Sequence, residues 1–127
     1  MKKTVLLAGF DAAEKKELQH VILPLGYRIK VAKTTDYGRQ IGAILGILED
    51  ASEPVSYEGS IDRLMLMAGF ERRDLDLFLQ ALRKSKVAPI PYKAMLTPTN
   101  AGWRLSELFE EIKKEHEIMH NQSGKKP

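Results

Sequence analysis

The stretch "VLLAGFD" at residues 5–11 returns as "MLMAGFE" at 65–71, and each copy leads into a helical pattern. A continuous apolar run that ends in glycine and is followed by an acid is what a doubly buried strand turning into a capped helix requires. Reading outward from these two phrases gives strand, helix, strand, helix in each half of the chain.

The first strand covers 3–10. A helix from Asp11 to Leu23 starts on a capping box of Asp11 with Glu14, carries Leu18, Val21 and Ile22 on one face, and stops at Pro24. In "GYRIKVAK", 26–33, Tyr27, Ile29 and Val31 alternate with Arg28 and Lys30, which predicts a strand with one wet face, at an edge of the sheet. A second helix is expected from Asp36 to Leu48, with Ile41, Ile44, Leu45 and Leu48 in one stripe. The second half gives a strand at 62–68, a helix from Glu71 to Lys84 carrying Leu75, Phe78, Leu79 and Leu82, a strand at 92–97, and a helix from Gly102 to His120.

The halves correspond in register. An offset of sixty aligns Leu18 with Phe78 and Ile22 with Leu82, and an offset of sixty-four aligns Ile41, Leu45 and Leu48 with Leu105, Phe109 and Ile112. The chain therefore reads as one α/β domain, 1–127, built by internal duplication of units 3–48 and 62–120, with a linker at 49–61 and a frayed tail at 121–127. Residues 3–48 and 62–112 are expected to superimpose. The expected sheet is four-stranded, parallel and doubly wound, flavodoxin-like or Rossmann-like, in the order 2-1-3-4. The first and last helices would cover one face and the middle two the other. An antiparallel pairing of the first and third strands would contradict this arrangement.

Composition bounds the class. With 127 residues, 43% apolar and 29% charged, the chain suits one globular domain, and no apolar run is long enough to span a membrane. The short run from Val5 to Phe10 reads as a strand and not as a signal peptide. Zero cysteines exclude disulfides, thiolate metal sites and a cysteine nucleophile, in keeping with a cytoplasmic protein. A net charge of +3, with no basic stripe interleaved with aromatics, gives no basis for specific nucleic-acid binding.

In a parallel sheet of this order, a ligand would sit where the order reverses, between the first and third strands. Gly9-Phe10-Asp11 and Gly69-Phe70-Glu71 would then face each other across a crevice, with Thr97, Thr99 and Asn100 of the turn "LTPTN", 96–100, on the same rim. These nine residues are the candidate ligand or partner site. Each also has a structural reading: the glycines relieve a turn, the phenylalanines staple helix to sheet, and the acids, Thr99 and Asn100 cap helices. Neither G-x-G-x-x-G nor a P-loop is present, and Asp11 and Glu71 would repel a phosphate at those helix starts. No G-x-S-x-G or H-E-x-x-H occurs, and His116 with His120 is the only pair of histidines one turn apart. No catalytic residue, metal or cofactor is assigned. Gly38, Gly42 and Gly46 form a stripe on the second helix that would pack against the third helix or against a second subunit.

The segments "LMLMAGFERRDLDLFLQALR", 64–83, and "KAMLTPTNAGWRLSELFEEIKKEHE", 93–117, resemble the bacterial family known as domain of unknown function 3783, most clearly at the "LTPTN" turn, Trp103 and Glu115-His116. The resemblance extends over nearly the whole chain and implies a small bacterial cytoplasmic protein, with no activity or cofactor attached. The function expected is a non-enzymatic binding or regulatory module for a small molecule or a protein. A small enzyme using the polar groups of the "LTPTN" turn and a structural homodimer are the alternatives.

Overall fold

A computed structural model describes residues 2–49 and 56–124, with side chains through Ile118. Residues 50–55 of the expected linker, residues 125–127 of the expected tail and the side chain of His120 lie outside the described residues.

The two matching apolar runs form β1 (Thr4–Ala8) and β3 (Leu64–Ala68), adjacent in a four-stranded sheet of order β2-β1-β3-β4, where β2 is Arg28–Val31 and β4 is Tyr92–Met95. Order and edge positions agree with the sequence reading. Each outer strand runs parallel to its inner neighbour, Thr4 opposite Arg28 and Leu64 opposite Tyr92. The central pair runs antiparallel, with Thr4 opposite Ala68, Leu6 opposite Leu66 and Ala8 opposite Leu64. The sheet is mixed, which corrects the all-parallel expectation and, with it, the superposition in the form expected. The physical reason is that a strand buried on both faces has the same apolar pattern whichever way its neighbour runs.

The layering changes with it. Helices α1 (Ala12–Ile22) and α3 (Arg72–Lys84) lie on the same face, where Leu18, Ile22 and Phe78 pack on Val5, Leu7, Met65 and Met67. The other face carries α2 (Ile41–Ile44) and α4 (Leu105–Gly124), whose Ile41, Ile44, Leu105, Leu108 and Phe109 pack on Leu6, Ala8, Leu64 and Leu66. The antiparallel register, centred on Leu6 opposite Leu66, leaves α1 and α3 on one face and α2 and α4 on the other. Away from the sheet Gln40 and Arg104 form an isolated antiparallel bridge. There Ile41 N donates to Trp103 O at 2.8 Å and Leu105 N to Arg39 O at 3.0 Å, each bond repeating the other at an offset of sixty-four.

The expected second helix is only partly present. A 3-10 turn at Thr34–Asp36 precedes the single turn of α2, and Gly46 takes φ +76°, which ends the helical path. The glycine stripe is therefore not a helix surface. Gly42 is buried, and a Cβ there would meet Leu48 Cδ1 at 2.4 Å and Ala101 O at 3.0 Å, so its neighbours are Leu48 and the turn before α4, not α3.

Gly9 and Gly69 occupy left-handed backbone, φ +79° and +78°. At Gly9 the approach is also close, because a Cβ would lie 2.0 Å from Ile61 O, while Arg63 N donates to Gly9 O at 3.2 Å. Gly26 has φ +85° with nothing within 4 Å of its Cβ position. Gly9→Ala should therefore cost roughly 3 kcal/mol or more, strain plus collision, whereas Gly26→Ala should cost about 1 kcal/mol from strain alone. Urea unfolding of the two variants checks this, and equal losses would contradict the close approach at Gly9.

Candidate functional site

The antiparallel central pair separates the residues that the sequence places together. Gly9, Phe10 and Asp11 follow the carboxyl end of β1, whereas Gly69, Phe70, Glu71, Thr97, Thr99 and Asn100 follow β3 and β4 at the other end of the sheet. No crevice faces both Gly-Phe turns. This corrects the switch-point arrangement.

At the first end, Asp11 caps α1, its Oδ1 accepting from Glu14 N at 2.8 Å, while Glu14 Oε1 accepts from Asp11 N at 3.1 Å. Arg63 lies 4.0 Å from Glu14 and 3.5 Å from Asp62, on a left-handed backbone of φ +44° that residues other than glycine seldom adopt. Phe10 packs against the α1/α3 core.

The second end repeats the scheme. Asp74 Oδ2 accepts from Glu71 N at 2.8 Å, and Asp74 Oδ1 takes a 2.8 Å ion pair from Lys3, the counterpart of Arg63 at an offset of sixty. The hydrogen bond from Lys3, then that from Glu71 N, holds the Asp74 carboxyl below its usual range, and the same pair raises the Lys3 ammonium. Phe70 is buried in a ring cluster, 4.6 Å from Tyr27 and 5.7 Å from Phe78 between centroids. Burial pushes the Tyr27 hydroxyl up.

The "LTPTN" turn closes on itself. Asn100, buried, accepts from Thr97 N through Oδ1 at 2.8 Å and donates through Nδ2 to Met95 O at 3.0 Å, while its own N–H donates to Thr97 Oγ1 at 3.1 Å. Thr99 is exposed. The bonds fix the 3-10 turn Asn100–Gly102, and α4 begins later with its own cap, Arg104 N donating to Glu107 Oε1 at 2.9 Å. In the first half Asp36 takes the part of Asn100: Oδ2 accepts from Lys33 N at 2.9 Å and Oδ1 pairs with Arg39 at 2.8 Å. Burial raises the Asp36 carboxyl, but the Lys33 amide and the Arg39 guanidinium outweigh it and hold the group low.

Other titratable groups are dispersed. His116 stacks edge-on against Tyr92 at 5.4 Å. Tyr57 donates to Glu110 at 2.7 Å, and burial together with that carboxylate pushes its hydroxyl up to about 12. Among the described residues no three His, Asp or Glu side chains gather as metal ligands would.

What the structure does assemble is an apolar groove that the motif reading passes over. It has a volume of about 610 Å³ and is lined by Leu79, Leu82, Val87, Ala88, Pro89 and Ile90 together with Arg83 and Lys93. It forms because α3 ends at Lys84 and the chain returns to β4 through "SKVAPIP", 85–91, whose prolines cannot continue the helix. Ser85 fixes the departure, its Oγ donating to Leu82 O at 2.6 Å and accepting from Val87 N at 3.1 Å. Lys93, which also lines the groove, is held through Nζ by Ile90 O at 2.9 Å. The sequence signal available was this loop, apolar and proline-rich in a region otherwise basic.

Residues 63–119 match the family model described as "Domain of unknown function (DUF3783)", a span that takes in β3, α3, β4 and most of α4 and hence the whole groove. No curated protein and no solved structure matches the chain.

Because the two side-chain bonds of Asn100 hold the turn to the end of β4, Asn100→Ala should destabilise the protein by about 1 to 3 kcal/mol, with Asp36→Ala losing a similar amount. Paired thermal unfolding measures both. An unchanged melting temperature for Asn100→Ala would show that the turn is not held by this side chain.

Proposed function

Taking as premise the match of residues 63–119 to the DUF3783 family model, whose description carries no activity, we propose that the chain is a non-enzymatic binding module using the groove between α3 and β4. The observation that carries this reading is the groove itself. Its volume of about 610 Å³ falls within the range of small-ligand sites, its lining is apolar, and its shape is set by the Ser85 and Lys93 hydrogen bonds. The nine residues of the sequence-derived site support a structural role better. They lie at two ends of the sheet, Asp11 and Asn100 form hydrogen bonds within their own turns, and Phe70 is buried in a ring cluster. That weighs against an enzyme built on the "LTPTN" turn.

The same proposal includes an ancestral duplication. Its support is the repeated contacts, Lys3–Asp74 with Arg63–Glu14 and Ile41–Trp103 with Leu105–Arg39.

A neutral apolar dye such as Nile red tests the groove reading. Its fluorescence should rise on binding the folded chain at one site, and Ala88→Glu, which places a carboxylate at an exposed lining position, should abolish the rise without changing the melting temperature. Undiminished dye binding to Ala88→Glu would overturn the assignment.

A further inference from the structure

The groove has a charge character that its apolar lining does not require. Arg83 and Lys93 border it and no acidic residue lines it. The imbalance extends along the chain: between Asp76 and Glu107 there is no Asp or Glu at all, while Lys84 and Lys86 stand beside Arg83 on the turn out of α3. A surface helix and loop of this length ordinarily interleave charges of both signs, so a one-signed border around a concave apolar patch raises the local concentration of anions.

One of the two cations also differs from a freely swinging side chain. Lys93 Nζ is tied to Ile90 O at 2.9 Å, which leaves its other N–H bonds free for an acceptor at the groove's edge. Ile90 is itself buried and lines the groove. An apolar body lying on Leu79, Leu82, Val87 and Ile90 would therefore end beside an ammonium whose position is already set.

We propose that the groove takes an anionic amphiphile, a medium-length unbranched apolar chain ending in a carboxylate, with the chain along the apolar floor and the carboxylate between Arg83 and Lys93. This rests on the groove reading above and names the ligand class for it. The concavity favours a small molecule over a peptide, because its lining comes from one helical end and one short loop and accommodates a volume of about 610 Å³.

Titration calorimetry of the full chain with decanoate and decylammonium below their micelle concentrations, and with decan-1-ol below its solubility limit, tests it. Decanoate should bind roughly fivefold to tenfold more tightly than decan-1-ol, and decylammonium should bind most weakly. The double variant Arg83→Gln/Lys93→Gln, altered only at exposed positions, should bring decanoate down to the affinity of decan-1-ol while leaving decan-1-ol unchanged. Equal affinities for decanoate and decan-1-ol in the parent chain, or tighter binding of decylammonium, would overturn the charge inference and leave the groove reading standing. No binding of any of the three, or binding undiminished by Ala88→Glu, would overturn both. Selective binding of an acidic peptide with none of decanoate would overturn the choice of a small molecule.

Discussion

The antiparallel pairing of β1 with β3 is the constraint on which the rest of the structure depends. Both strands are buried on both faces, so their side chains serve both cores at once: Val5, Leu7, Met65 and Met67 toward α1 and α3, Leu6, Ala8, Leu64 and Leu66 toward α2 and α4. Because the register centres on Leu6 opposite Leu66, each helix finds an equivalent partner on its own face. A one-residue slip would exchange the two faces of a strand and present every side chain to the wrong core. The Gln40–Arg104 bridge ties the start of α2 to the start of α4.

The same pairing decides where chemistry could be located. It sends the two glycine turns to opposite ends of the sheet, where each acid becomes a local cap with a basic neighbour, Arg63 near Glu14 and Lys3 on Asp74. Polar groups whose partners lie within the same turn stabilise the fold and have little capacity left for a ligand. The concave surface arises elsewhere, where proline-rich chain leaves α3 and must return to an edge strand.

Much of this was legible in the sequence. The alternation in "GYRIKVAK" put β2 at an edge, the Asp11–Glu14 capping box is present, and the order 2-1-3-4 follows from two strand-helix-strand units side by side. Strand direction was not legible, because the apolar runs at 5–10 and 65–70 carry no polar residue whose exposure would distinguish one direction from the other. The second helix was overestimated for a related reason. Ile41, Ile44, Leu45 and Leu48 keep helical spacing, but Gly46 in left-handed backbone lets Leu48 fold back onto Gly42. The groove is not legible in the sequence because apolar residues in a loop resemble core residues until the return path of the chain is known, and an absence of acids between Asp76 and Glu107 is quieter than a motif.

The direction of the central pair can be measured directly, since the chain has no cysteine and single thiols can be introduced at will. Spin labels at Ala12→Cys and Arg72→Cys mark the exposed first residues of α1 and α3. Five-residue strands running antiparallel put these points at opposite ends of the sheet, so double electron–electron resonance should give a distribution centred beyond about 20 Å. A parallel pair would put both at one end on neighbouring strands, roughly 10 Å apart, and a distance in that short range would contradict the fold described and the separation of the two turns that follows from it.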